Sequence, residues 1–269
     1  MKHIVLALTI SALLAGCATT TSPTGRRQVT GGVSQAQLIQ MGEQAFAEAK
    51  AKQKVSTDSK SNAYVRCVVN ALVAQLPADQ RNVAWEVALF QDDSANAFAL
   101  PGGKVGVHTG IFKVATNQDQ LAAVLAHEIV HVTANHHDER ITRQMGTQVG
   151  LSVLSAVVGG AYGSGAGETV SQLGGAGLQA GFLLPKSRAQ ESEADEVGQQ
   201  LMAQAGFDPV QAVNLWQNMA AASSTRSPQW MSTHPDPSNR MARLASEAPR
   251  WTSIYQQVVT AGKRPRCTP

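Results

Sequence analysis

Between Leu121 and Arg140 the chain reads LAAVLAHEIVHVTANHHDER, and within it His127, Glu128 and His131 form the pattern H-E-x-x-H. On a helix, positions four apart lie about 40° apart around the axis, so His127 and His131 present two imidazoles to one point. Glu128, one position on, reaches the same neighbourhood without being a ligand itself. Two neutral nitrogens to hold a zinc ion, with a carboxylate beside them to take a proton from water, are the parts of a metal-assisted hydrolase.

Such a site needs a third ligand, and two candidates compete for it. His137 stands ten residues after His127, where the metzincin pattern places its third histidine. That pattern uses a glycine to break the helix and swing the distant histidine back to the metal. Here the glycine position is Ala134, a strong helix former. A helix that runs on through Ala134 turns His136 and His137 away from the ion and leaves them as polar or packing groups near the helix end. The other candidate lies downstream, in SRAQESEADEVGQQL. Glu191 and Asp195 are four apart and share a helical face. Glu191 can give the metal an oxygen, and Asp195 can hydrogen-bond the far nitrogen of a ligating histidine and fix its tautomer. Glu193 is expected to face away.

The elements that must position these groups read as mostly helical, with a small sheet inserted early: an α+β class. Helical patterns run roughly over 35–54 and 60–76, and VAWEVALFQ (83–91) and GKVGVHTG (103–110) read as strands. The strand near KVGVH is expected to bind an extended peptide by edge pairing. From Asn117 a strong helix begins, with Asn117 as its cap and Gln120 in capping-box register. Helices resume over 187–205, 209–222, 236–247 and near 251–260. Residues 144–185 are rich in Gly, Ala and Ser; glycines interrupt the apolar run, which argues for a lid or hairpin rather than a transmembrane helix.

The start of the chain is a targeting segment. A short basic MKH precedes an apolar run that ends in LAGC, Leu14 to Cys17. This resembles the lipobox of bacterial lipoproteins, in which residues 1–17 are the signal and Cys17 becomes the lipidated first residue. Residues 18–34 then read as a flexible tether, 35–262 as the catalytic domain and 263–269 as a tail. The resemblance implies the periplasmic face of the outer membrane. With Cys17 lipidated only Cys67 and Cys267 remain, and an oxidising compartment favours a disulfide between them over two free thiols. With 22 basic and 19 acidic residues, nothing argues for nucleic acid as a partner. No phosphate loop, dinucleotide fingerprint or nucleophile elbow competes with the histidine motif.

H-E-x-x-H followed by S-R-x-x-E-x-E-A-D-x-x-G resembles the HtpX-like zinc metallopeptidases, gluzincins related to the CAAX prenyl proteases. NAFALPGGKVGVHTGIF (96–112), AGFDP (205–209) and STHPDPSNRMARL (232–244) extend the resemblance from about residue 60 to 245. The lipobox makes the chain similar in type to periplasmic lipoprotein members of that family. The resemblance implies one Zn2+ per subunit on His127, His131 and Glu191, with Glu128 as general base and Asp195 in support. It implies that His234 is either a fourth ligand in a self-inhibited state or a donor to the oxyanion, and that Arg240 orients that segment or a substrate carbonyl. It also implies an endopeptidase acting on unfolded or misassembled envelope proteins, in reach of envelope assembly machinery. A chaperone or assembly factor with a self-inhibited metal site, and a metzincin-type protease using His137, are the alternatives.

Overall fold

A computed structural model of the chain describes residues 18–147, 186–222, 230–231, 234 and 239–269. The LAGC motif and most of the Gly/Ala-rich stretch, including the expected lid, lie outside the described residues. Among the described residues no helix is long and apolar enough to cross a membrane. The described residues divide into two compact units.

The smaller unit contains residues 18–41 and 135–147. Residues 18–34, expected as a flexible tether, instead build a hairpin: β1 (Ala18–Thr21) pairs antiparallel with β2 (Arg27–Thr30). The reason is a set of buried acceptors on the helical segment 136–147. Arg26 makes a two-pronged ion pair with Glu139, at 2.8 and 2.9 Å. Asp138 Oδ1 accepts from the Gly31 amide and from the Thr142 hydroxyl, both at 2.9 Å. A buried carboxylate must be paired, and the N-terminal residues supply the donors.

The larger unit carries the H-E-x-x-H motif. Helix α1 (Gln35–Lys52) leads into it, and α2 (Ser59–Val73) is capped by Asp58, whose side chain accepts from the Ser61 amide. Val65, Val68, Val69 and Leu72 form the buried stripe of α2, with the helical spacing read from the sequence. After the short α3 (Ala78–Arg81) come β3 (Glu86–Phe90), β4 (Ala97–Leu100) and β5 (Lys104–His108). The sheet order is β3-β5-β4, with β5 parallel to β3 and antiparallel to β4. KVGVH is therefore the central strand and has no free edge, contrary to expectation. Pro101, Gly102 and Gly103 make the turn that folds β5 back onto β4, the two glycines at φ 81 and 71. The outer side of β3 is met by Val55 in an isolated bridge to Phe90.

Helix α4 (Gln118–Thr133) is buried from Asp119 to His131. It is enclosed by α2, β4, α5 (Arg188–Gln204) and α6 (Gln211–Ala222). A Cβ at Gly198 would lie 3.4 Å from the His127 amide nitrogen, so the missing side chain lets α5 approach α4 closely. Helix α7 (Arg240–Thr260) is continuous through Pro249, where two helices were expected. Proline removes one ladder bond, but Leu244, Ala248 and Trp251 keep a single buried stripe across it.

The tail is fastened to the beginning of α4. Cys67 and Cys267 form a disulfide. The Cys267 amide donates to Gln118 Oε1 at 2.8 Å, the Gln118 amide donates to the Pro265 carbonyl at 3.1 Å, and Arg264 pairs with Asp119 at 3.3 Å. Closing a loop this long restricts the unfolded chain strongly, so Cys267→Ser should cost about 2–5 kcal/mol. Thermal unfolding checks this: a reductant should lower the midpoint of the wild type and leave that of the variant unchanged.

Candidate metal centre

The Asn117 side chain accepts from the Gln120 amide at 2.9 Å, which fixes where α4 starts and so the phase of its histidines. Ser187 and Gln190 form a reciprocal capping box that does the same for α5. These two starts bring His127, His131 and Glu191 together with His234, their ligand atoms all within 4.8 Å of one another. All four are buried.

The two Nε2 atoms of His127 and His131 face each other at 3.0 Å. Glu191 Oε1 lies 3.4 Å from His131 Nε2, and Oε2 lies 3.5 Å from His127 Nε2. Glu191 Oε1 is buried and has no hydrogen-bond partner among the described residues. Burial, and next the charge of Lys186, push His131 well below the ordinary imidazole range, which leaves it the neutral form that ligates. Two imidazole nitrogens and an orphaned carboxylate oxygen converging in a dry cage are a donor set for zinc.

The groups behind the ligands are tightly coupled. His127 Nδ1–H donates to Asp195 Oδ1 at 3.1 Å, which directs Nε2 into the cage. Arg240 donates to Glu191 Oε2 at 2.9 Å and to Asp195 Oδ1, and its guanidinium lies 4.3 Å from the Trp216 ring centre. Arg243 donates to Asp195 Oδ2 at 3.0 Å. Arg240, expected to orient a loop or a substrate carbonyl, thus binds the two carboxylates of α5. Glu193, expected to face away from Glu191, is buried as well.

Glu128 is buried against the same cage. Its Oε1 accepts from the Trp230 indole at 2.6 Å and lies 2.9 Å from His234 Nε2; its Oε2 lies 3.3 Å from Lys186 Nζ. Burial alone would raise its pKa, but the charge of Lys186 outweighs it and holds the carboxyl well below its usual range. His234 Nδ1–H donates to the Trp230 carbonyl at 2.8 Å. Burial, then the neighbouring Lys186, push His234 down to about 4, so the ring is neutral at ordinary pH. Trp230 also donates its amide to the Ala95 carbonyl, at 3.2 Å, just ahead of β4. Lys186 and Trp230 escaped the sequence reading: neither sits in a spacing pattern, Lys186 precedes the cap of α5, and Trp230 lies in a helical stretch between α6 and α7.

His137 is not part of the cluster. Helix α4 ends at Thr133, and Asn135 adopts φ 56, so the chain does turn where a continuing helix was expected. Asparagine tolerates that conformation better than other non-glycine residues. His137 is buried in the smaller unit, where its Nδ1 accepts from Arg140 Nη2 at 2.8 Å.

Residues 59–248 match peptidase family M48. The chain belongs to that family. It is 38% identical over 190 residues to the mitochondrial metalloendopeptidase OMA1 of Schizosaccharomyces pombe, covering 69% of this chain and 52% of that protein. It is 31% identical over 219 residues to the beta-barrel assembly-enhancing protease of Yersinia pestis, covering 79% and 44%. The protein of the same name from Escherichia coli K12 is 30% identical over 221 residues, with the same coverage. The chain spans about half the length of the relatives it matches. M48 metalloproteases use zinc, in keeping with the donor set. The HtpX-like resemblance and the α+β class both stand. The placement at the periplasmic face of the outer membrane does not: matched relatives from fission yeast, budding yeast, Arabidopsis thaliana and Bos taurus are mitochondrial enzymes.

Arg240 is the cation shared by two buried carboxylates, so its removal leaves charge uncompensated. Arg240→Ala should lower the stability of the zinc-free protein by about 3–5 kcal/mol, measured by denaturant unfolding.

Proposed function

We propose that this chain is a zinc-dependent metalloendopeptidase acting on extended segments of unfolded or misassembled envelope proteins. The observation that carries the reading is Glu128, a buried carboxylate beside His127, His131 and Glu191, on a helix buried from Asp119 to His131. His127, His131 and Glu191 would hold the ion, and Asp195 would fix the His127 tautomer. Bound zinc supplies Lewis-acid polarisation of the scissile carbonyl and lowers the pKa of water. Glu128 takes the proton of the attacking water and returns it to the leaving amine nitrogen. The burial of these groups removes bulk water and strengthens every charge interaction among them.

A peptide would pair through its main chain with β4, the strand at the side of the sheet away from the Val55 bridge, by exchanging places with the partners that Ala95 and Ala99 have now. Main-chain pairing reads extended conformation more than side-chain identity, which suits unfolded substrates. Trp230 now bonds to the carbonyl next to that strand and to Glu128, so the substrate must displace the 230–234 segment. This supports a self-inhibited resting state in which Trp230 and His234 cover Glu128. Attachment to a membrane through an acylated Cys17 belongs to the same reading, on the strength of the LAGC motif. The name of the Yersinia pestis relative supports a link to assembly machinery.

The full chain and its Glu128→Ala, Glu191→Ala and His137→Ala variants, compared for zinc content and cleavage of an unfolded protein, test this. Glu128→Ala should keep zinc and lose about 10²–10⁴ in rate; Glu191→Ala should lose zinc and cleavage; His137→Ala should keep both. If His137→Ala empties the site, the ligand set is wrong. A wild type that holds zinc and never cuts would favour a binding or assembly role.

A further inference from the structure

Lys186 is the last residue before the Ser187 cap of α5, so the capping box that phases Glu191 and Asp195 also fixes where the Lys186 side chain departs. That side chain is buried, an unusual place for an ammonium. Its Nζ lies 3.3 Å from Glu128 Oε2 and donates to His234 Nε2. The His234 proton is on Nδ1, given to the Trp230 carbonyl, so Nε2 offers a lone pair. That lone pair is the only ligand atom His234 can bring to the metal cluster. An ammonium and a metal ion thus seek the same electron pair, and both are cations.

We propose that Lys186 is a positioning residue that competes with the metal for His234. While the ammonium holds Nε2, the metal keeps His127, His131 and Glu191 and an open position for substrate. When the ammonium withdraws, His234 closes that position. Lys186 also spans from His234 to Glu128, so the residue that takes His234 from the metal lies within reach of the base. The inference rests on the zinc reading above and adds a switch between its open and closed forms.

A double-mutant cycle on the full chain tests it, with zinc affinity measured by chelator competition and coordination read from the visible spectrum of the cobalt-substituted protein. The variants are Lys186→Met, His234→Ala, their combination, and Lys186→Arg to restore the charge. Lys186→Met should bind zinc about tenfold tighter or more, a gain of about 1.4 kcal/mol by the usual conversion. That gain should vanish in the His234→Ala background. The cobalt spectrum of Lys186→Met should change towards four protein ligands and revert when His234 is removed, and Lys186→Arg should resemble the wild type. An affinity gain of the same size with and without His234 would overturn the proposal, because it would be charge repulsion alone. Unchanged affinity and spectrum in Lys186→Met would overturn it as well. A wild type that takes up no zinc would sink the function reading itself, and this inference with it.

Discussion

Glu191 and Asp195 share the guanidinium of Arg240, and the metal cluster depends on that sharing. Each carboxylate is buried on α5, and neither could stay ionised there without a cation close by. Arg240 opens α7, so one side chain ties α7 to α5. The His127–Asp195 bond then ties α5 to α4. Three helices far apart in sequence are thereby held at one orientation, and the imidazoles point into the cage as a result. Trp216 lies under the guanidinium and keeps its flat face from water.

The second constraint is the fate of Glu128. Its carboxylate is held by an indole and faces a lysine and an imidazole, all within hydrogen-bonding reach or close to it. The indole and the ammonium stabilise the charged form and so lower its affinity for a proton. Displacing Trp230 would strip one donor away and raise that affinity. Trp230 also bonds to the backbone ahead of β4 and to His234, so the surroundings of Glu128 and of that strand are linked through one side chain and its backbone.

How much of this was legible in the sequence depends on how local each signal is. The histidines of α4, the Glu191–Asp195 pair and the Asn117 cap are set within a few residues, and helical periodicity places them. The end of α4 was misread because Ala134 favours helix while the turn is made by Asn135, whose φ of 56 no propensity scale flags. The hairpin at 18–30 was read as a tether because its composition is polar, yet its donors are consumed by buried Asp138 and Glu139. Helices are expected over 236–247 and near 251–260, but the buried stripe of α7 joins them through Pro249. The central place of β5, the partners of Arg240 and the position of Lys186 depend on contacts between segments distant along the chain, which spacing alone does not encode.

The clasp at the start of α4 sets an order on biosynthesis. Gln118 and Asp119 take their partners from residues 264–267, and a disulfide from Cys67 on α2 holds Cys267 beside them. Arg240, which neutralises the α5 carboxylates, also follows them along the chain. A nascent chain that has already exposed the H-E-x-x-H motif therefore lacks both the counter-ion and the anchor of its site. The metal cluster can take its shape only after residues 240–267 have followed the motif out of the ribosome.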